Sequence, residues 1–291
     1  MEGITSVLVT GSDGFVGRHL LKRLKDNGID VVEFDITNGR DVTDVNSFEG
    51  IRKVSAVVHL AARTFVPDAF ENPARVYREN ISGTLNVLEY CRVNEIKKII
   101  YSSSYVYGRP ERLPVDEHHP VGIQNPYGRS KLIGEVLISG YYEDYGIVPV
   151  IFRPFNIYGP GQGRAFLIPS LISQCLSTSD LIIVKDLSPR RDYIYIDDVI
   201  AAYMFAIFDY KCTTPEIFNI GSGESYSVEE IINKLQQITA TNKKVISEGQ
   251  QRKNEIPDCT ADTKKIKKTF GWTPKYGIDE GLRQSVLHWL P

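Results

Sequence analysis

Short β-branched runs alternate along the first half of the chain with segments whose apolar residues recur at helical spacing. The runs that predict strands are SVLVT, VVEFD, AVVHLAA, KKIIYSSS and VPVIFRP. Between them lie patterns that predict helices, such as those over Arg18–Asn27 and Val76–Asn94. Strands separated by helices pair in parallel through right-handed crossovers. The sequence therefore predicts an α/β fold with a doubly wound parallel sheet.

The pattern changes after about Pro154, where turns rich in glycine and proline, such as IYGPGQG and DLSPRRD, replace the regular alternation. A later helix is predicted over Val228–Thr239. We predict a first domain over residues 1–154 and a smaller C-terminal α/β lobe over residues 155–189 and 211–291. The segment 190–210 has the pattern of a strand followed by a helix, and we expect it to return to the first domain.

The composition is that of an ordinary soluble globular protein, since 42% of the 291 residues are apolar and 24% are charged. A formal net charge of −2 gives no basic excess, so we do not expect a nucleic-acid partner. The start MEGITSV lacks signal-peptide character, and apolar runs such as AAYMFAIF are too short to span a bilayer. The cysteines show no paired spacing that would suggest a metal site or a disulfide framework: Cys91, Cys175, Cys212 and Cys259. We expect a cytoplasmic protein without membrane contact.

The stretch VLVTGSDGFVGRHLLKRL carries three glycines, Gly11, Gly14 and Gly17, between a predicted strand and a predicted helix. Such glycines permit a tight turn, close approach to a pyrophosphate, and packing of the helix against the strand. The helix N-terminus then faces the phosphates. A purely structural turn is the alternative, but Asp35 ends the second predicted strand, where a carboxylate accepts ribose hydroxyls and repels a 2′-phosphate. This Rossmann pattern predicts NAD rather than NADP.

Tyr127 and Lys131 lie four residues apart at the start of a predicted helix, so both side chains project from one face. A phenol is a poor base at neutral pH unless a nearby cation favours phenolate, and Lys131 is a candidate for that cation. A surface tyrosine beside a lysine is the alternative. Ser103 follows another predicted strand, where a hydroxyl can hydrogen-bond a reacting oxygen, although serines there are often turn formers.

Together these features resemble the extended short-chain dehydrogenase/reductase family, and within it the nucleotide-sugar epimerases and dehydratases. The resemblance extends over essentially the whole chain. It is carried by TGSDGFVG, HLAA, ENISGTLNVLE, YSSSYVYG, YGRSK, RPFNIYGPGQ, RDYIYIDDV, FNIGSG and FGWTPKYGIDEGL, which occur in the order of the family.

The resemblance implies roles for individual residues. Tyr127 would be the base, Lys131 would hold the nicotinamide ribose, and Ser103 would bind the sugar oxygen. The cofactor would further contact Gly11, Asp13, Gly14, Phe15, Val16, Gly17, Asp35, Asp41, Val42, Leu60, Ala61, Ala62, Asn80, Ser102 and Pro154. The nucleotide sugar would contact Ser103, Ser104, Asn156, Arg191, Arg252 and Cys259, with the second lobe as its binding lobe. Guanidinium groups suit a diphosphate because they bind its oxygens bidentately.

Departures from the family pattern narrow the reaction. Sugar 4,6-dehydratases carry an Asp-Glu pair where this chain has Ser104 and Tyr105, so the acid for water elimination is absent. UDP-glucuronate decarboxylases also carry a Glu at the second of these positions. Cys259 stands where epimerases vary between bulky tyrosine and smaller residues, which would leave room for an N-acetyl group. Thr64 replaces a lysine often found in UDP-galactose epimerases.

The resemblance thus implies an NAD-dependent 4-epimerase of a nucleoside diphosphate hexose, with a UDP-sugar favoured. The segment NEIPD, residues 254–258, is similar to that of some 4-keto-sugar reductases, which keeps an NAD(P)H-dependent reductase as the alternative. A non-catalytic nucleotide-binding module is a third possibility, disfavoured because both Tyr127 and Lys131 are present. Family members often dimerise through helices that correspond to Val76–Asn94 and Tyr127–Tyr145, so we expect a homodimer.

Overall fold

The computed structural model describes residues 4–209, 213–250 and 255–290. Its strands, in chain order, are β1 (Ser6–Thr10), β2 (Asp30–Phe34), β3 (Ala56–His59), β4 (Lys98–Ser102), β5 (Val148–Pro154), β6 (Asn156–Tyr158), β7 (Leu181–Val184), β8 (Arg190–Tyr195), β9 (Glu216–Ile220), β10 (Ser225–Ser227) and β11 (Lys244–Ser247). Six of them form one parallel sheet in the order β2, β1, β3, β4, β5, β9. The predicted parallel sheet is confirmed.

The helices are α1 (Phe15–Asp26), α2 (Val66–Glu71), α3 (Pro73–Tyr77), α4 (Gly83–Val93), α5 (Pro126–Tyr145), α6 (Leu167–Leu176), α7 (Ile196–Phe208), α8 (Val228–Ile238), α9 (Lys264–Phe270) and α10 (Ile278–Leu287). A π-helical segment, Arg78–Ser82, joins α3 to α4. The helix predicted over Val76–Asn94 is therefore continuous in path but changes its hydrogen-bonding pattern near Asn80. Of the helices described here, none is both long and apolar enough to cross a lipid bilayer.

Apolar clusters cover both faces of the six-stranded sheet. Val7 and Val9 of β1 belong to a cluster that includes Tyr203 of α7. Leu8, between them, belongs to a second cluster with Leu88 of α4. Because successive residues of a strand point to opposite faces, the sheet is packed between two layers of helices. This is the doubly wound architecture expected from the sequence.

A second region contains a sheet of β10, β8 and β6, and a parallel pair of β11 and β7. Strand β8 and helix α7 together span the segment predicted to return to the first domain. Strand β8 pairs with β6 in the small sheet, whereas α7 packs against α1. Strand β9 lies within the predicted second lobe, yet it pairs with β5 of the large sheet. The chain therefore passes between the two sheets more often than the predicted ranges describe.

The position of the functional site follows from the strand order. Strand β1 lies between β2 and β3, so the chain leaves β1 toward one side of the sheet and later continues on the other. Such a switch point opens a crevice at the carboxyl ends of the strands, where α/β proteins bind their ligands.

Candidate active site

A cleft with a volume of about 840 Å3 opens at the carboxyl ends of β1, β3, β4 and β5. The residues predicted to contact cofactor or sugar line this cleft, apart from Lys131, Arg191 and Cys259. Arg252 lies outside the described residues. The fold thus gathers segments that are far apart in the sequence into one wall.

The glycine turn leaves no space for side chains. Gly11 has a φ of +69°, and a Cβ there would lie 2.7 Å from the backbone nitrogen of Ala61. A Cβ on Gly17 would lie 2.1 Å from the Gly11 carbonyl oxygen. Helix α1 begins directly after Gly14, which supplies no capping side chain. Its first N–H groups are therefore available to an anion, as expected for a pyrophosphate site.

Asp35 follows β2 beside this turn. Its Oδ2 accepts a hydrogen bond from the backbone N–H of Asp13 at 3.1 Å, and its Oδ1 accepts one from Thr37 at 3.1 Å. Arg40, in the same wall, donates to the backbone oxygen of Ser47 and lies over the ring of Phe34. The carboxylate thus lies in the cleft wall beside the glycine turn, and the residues present there fit NAD.

A hydrogen-bonded histidine lies under the floor of the cleft. Thr84 donates to the backbone oxygen of Asn80 at 2.7 Å, so His59 Nε2, 3.1 Å from the Thr84 oxygen, must be the donor of that pair. His59 Nδ1 then accepts from Thr10 at 2.7 Å. Burial, with a smaller contribution from Lys131, lowers the pKa of His59 to about 3. The ring is therefore neutral at physiological pH and, from its place on β3, joins β1 to α4.

Helix α5 brings Tyr127 to the cleft and Lys131 beneath it. Asn125 caps the helix by accepting a hydrogen bond from the backbone of Gly128 at 2.8 Å. Tyr127 lines the cleft, whereas the side chain of Lys131 is buried, with Nζ 4.2 Å from the centroid of the Tyr101 ring. Burial lowers the pKa of Lys131 to about 7, against a smaller opposing effect of Glu135 on the same helix.

The sequence led us to expect that Lys131 lowers the pKa of Tyr127, and the structure contradicts this expectation. Burial raises the pKa of Tyr127 to about 12, while a hydrogen bond with Ser104 acts in the opposite direction. Lys131 is not among the groups that shift this pKa. Burial disfavours the charged form of both side chains, so proximity alone does not produce a phenolate.

Ser103 and Ser104 directly follow β4 in the cleft wall, but they have different partners. Ser104 is the hydrogen-bond partner of Tyr127. Ser103 donates to Oε1 of Glu135 at 2.5 Å, and that buried carboxylate accepts from Arg153 at 3.0 and 2.6 Å. The Glu135–Arg153 pair was not found from the sequence, although its helical spacing from Lys131 places Glu135 on the same face of α5.

Arg191 and Cys259 lie behind the cleft rather than in its lining. The guanidinium of Arg191 pairs with Glu255 and donates to the backbone oxygen of Ile256 at 2.6 Å. Cys259 is fully buried in a cluster that includes Phe155, itself a cleft residue. Cys259 is therefore not in the cleft lining, and its influence on a bound sugar would pass through the packing of Phe155.

Sequence reasoning also missed Gln124, which precedes the cap of α5. Its Oε1 atom is buried in the cleft wall and has no hydrogen-bond partner among the residues that the structure describes. Buried acceptors in native proteins are nearly always paired. Gln124 is thus available to a hydrogen-bond donor on a ligand.

A family model, described as the NAD dependent epimerase/dehydratase family, matches residues 7–221. The chain belongs to the NAD dependent epimerase/dehydratase family. The resemblance and the cofactor inferred from the sequence are thereby confirmed. The match covers the glycine turn, Tyr127 and Lys131.

Relatives within the family include both epimerases and a reductase. The chain is 35% identical to a putative UDP-glucose 4-epimerase of Methanocaldococcus jannaschii, with 98% of each chain covered. It is 29% identical to a GDP-6-deoxy-D-mannose reductase of Pseudomonas aeruginosa, over 97% of this chain and 96% of the reductase. The crystal structure of a Thermotoga maritima UDP-glucose 4-epimerase with UDP-glucose superposes with a TM-score of 0.92 at 29% identity, covering 98% of each chain.

Proposed function

We propose that the chain is an NAD-dependent epimerase that inverts C4 of a nucleoside diphosphate hexose, most simply a UDP-sugar. The observation that carries this proposal is the setting of Tyr127. Its phenol is hydrogen-bonded to Ser104 and lies near Tyr105 in the cleft, the two positions at which sugar 4,6-dehydratases carry an Asp-Glu pair. Water elimination requires a separate acid next to the sugar, whereas removal and return of the C4 hydride requires only a base for the hydroxyl proton and an acceptor for the hydride.

Tyr127 would remove the proton of the C4 hydroxyl and return it after the 4-keto sugar has rotated to present its opposite face. Its pKa of about 12 means that the phenol is protonated at neutral pH until positive charge stabilises the phenolate. Bound NAD supplies reversible hydride transfer at C4 and, when oxidised, a positively charged ring. Lys131 would contribute further positive charge whenever its buried amine is protonated.

The sugar nucleotide would extend from Tyr127 toward the second region. Asn156 lines the cleft there and donates through Nδ2 to the backbone of Asp192 at 3.3 Å, which leaves its amide oxygen for a ligand. The unpaired Oε1 of Gln124 would accept a hydrogen bond from a sugar hydroxyl or an amide. We keep Arg191 and Arg252 as proposed diphosphate ligands, which requires Arg191 to leave Glu255.

A reductase of a 4-keto nucleotide sugar is the second candidate, and similarity to the Pseudomonas aeruginosa reductase supports it. The two reactions share a cleft and a tyrosine but differ in the fate of the cofactor. An epimerase regenerates its NAD in every cycle, whereas a reductase consumes one reduced cofactor for each product.

The experiment is to incubate the protein with UDP-glucose, UDP-galactose and their N-acetyl forms, each carrying deuterium at C4. We expect the 4-epimer to form with its deuterium retained and without net formation of NADH. Stoichiometric consumption of NAD(P)H with a 4-keto-6-deoxy sugar, and no epimer from any hexose, would overturn the proposal in favour of the reductase.

We further propose that two copies associate through α4 and α5. These adjoining helices expose apolar side chains: Leu85 by 39%, Val93 by 67%, Ile133 by 39% and Val136 by 66%. A two-helix face of this kind can pair with itself about a two-fold axis. Sedimentation velocity should show a dimer that Val136→Glu dissociates. The control Ile183→Glu, at the exposed residue of β7, should leave the dimer intact. A monomeric wild-type protein would refute the proposal.

A further inference from the structure

Residues 159–166, with the sequence GPGQGRAF, link β6 to α6 along the cleft, and we call this segment the strap. Gly161, Gln162, Gly163 and Phe166 line the same cleft as the glycine turn of β1 and α1. The ends of the strap belong to the second region of the fold. A cofactor on the glycine turn is therefore bordered by a segment anchored elsewhere.

Two consecutive residues of α1 hold the middle of the strap. Arg18 donates to the backbone oxygen of Gly161 at 3.2 Å and to that of Asp13 at 2.8 Å. His19 Nε2 lies 2.9 Å from the backbone oxygen of Pro160. A carbonyl oxygen only accepts, so His19 must be the donor. Phe15 packs edge-on against the imidazole, with the ring centroids 5.6 Å apart.

The far end of the strap is held by an aromatic contact. The rings of Phe65, just before α2, and Phe166 have centroids 5.9 Å apart at an angle of 73°. Edge-to-face pairs of this geometry are stabilising. Phe65 follows β3 of the large sheet, so the strap is tied to the cofactor-binding region at two separate places.

These contacts bear on the proposed epimerase reaction, and the inference drawn from them rests on that proposed function. Epimerisation takes hydride from the sugar and later returns it. If the reduced cofactor dissociates between these two steps, the 4-keto sugar cannot be reduced and the cycle is not completed. We propose that the strap retains the cofactor between the two transfers, with His19 and Phe65 as the residues that keep it closed. His19 and Phe65 are thus positioning residues that act on the cofactor through the strap.

The ties are weak enough for the strap to open. The Arg18 side chain is 52% exposed, so water competes for its hydrogen bond, and Phe166 is 38% exposed, so the ring pair is only partly shielded from solvent. Gly161 has a φ of +79°, a conformation that glycine adopts without strain, and its carbonyl is the acceptor for Arg18. The strap therefore slows exchange of the cofactor without preventing it.

The test is the rate at which NADH dissociates from the purified protein, measured by fluorescence after dilution into excess NAD. His19→Phe keeps the packing against Phe15 but removes the donor, and Phe65→Leu removes the ring pair. Neither wild-type side chain lines the cleft, so these changes remove no direct cofactor contact. Each should speed dissociation by about 2-fold to 13-fold, and the double variant by about the product.

The matched control is Lys22→Met, which alters an exposed residue of the same helix that pairs with Asp26 and does not touch the strap. It should leave dissociation unchanged. Unchanged rates of NADH dissociation in both His19→Phe and Phe65→Leu would overturn the inference. It would also be overturned if Lys22→Met released NADH as fast as these two variants do. The measurement needs no sugar, so it decides on the strap even if the protein proves not to be an epimerase. If it is one, the two variants should also release more 4-keto sugar per turnover.

Discussion

The buried amine of Lys131 makes the stability of the cofactor-free protein depend on pH in a predictable direction. Burial places its pKa at about 7 in the folded protein, against 10.5 for the ordinary side chain. Between these values the unfolded chain holds a proton that the folded protein has released. Unfolding then takes up a proton, so the free energy of unfolding rises with pH across this window.

The expected slope is about 1.4 kcal/mol per pH unit at 25 °C, and the full window corresponds to about 5 kcal/mol. That is comparable with the whole stability of many domains. Below about pH 7 both states hold the proton, and the contribution of Lys131 becomes constant. A side chain this costly to bury is more typical of an active site than of a structural core.

The assay is urea denaturation of cofactor-free wild-type protein and of Lys131→Met between about pH 7 and pH 10. Methionine has a similar length and no charge. Burial raises the pKa of Cys91 and of Tyr101, which makes stability fall at the alkaline end in both proteins. Subtracting the variant removes this background. The wild type should gain about 1.4 kcal/mol per pH unit relative to the variant, and a flat difference would refute the reasoning.

Three further substitutions test other parts of the site. Tyr127→Phe should keep its affinity for NAD but lose about 10²–10⁴-fold in kcat. The control Tyr141→Phe, on the same helix, should keep the kcat of the wild type. A Tyr127→Phe enzyme with wild-type kcat would exclude Tyr127 as the base. Glu135→Gln should lower the free energy of unfolding by about 3–5 kcal/mol because it leaves the Arg153 guanidinium buried without its carboxylate. The same change at Glu89, whose pair with Arg92 is partly exposed, should cost under about 1 kcal/mol, and equal losses would contradict this difference. Cys259→Tyr should overpack its buried cluster and lower the free energy of unfolding by about 1–3 kcal/mol. An unchanged free energy of unfolding in urea would mean that the position opens to the sugar.

Local sequence pattern was sufficient to predict the glycine turn, Asp35 and Tyr127. In each case a short motif adjoins a strand, and parallel strands bring their carboxyl ends to one edge of the sheet. The cleft could thus be assembled from the strand order alone. Asn80 also reaches the cleft, although the sequence did not reveal the π-helical segment that carries it.

Prediction was weaker where the outcome depends on distant partners. Arg191 has the chemistry of a phosphate ligand, but Glu255, far along the chain, neutralises it behind the cleft. The small side chain of Cys259 suggested space for a substituent of the sugar. In the structure Cys259 is buried in a cluster with Phe155, and this packing could not be predicted from the size of the residue. The pKa of Tyr127 was misjudged because spacing along a helix says nothing about how deeply the site excludes water.

The late position of β9 in the chain affects synthesis as well as architecture. Strand β5 ends at Pro154, but its outer edge remains unpaired until residues 216–220 have left the ribosome. During that interval a nascent chain displays the row of free N–H and C=O groups that invites pairing with other chains. Fragments that stop before residue 216 should therefore aggregate more readily than the 291-residue chain.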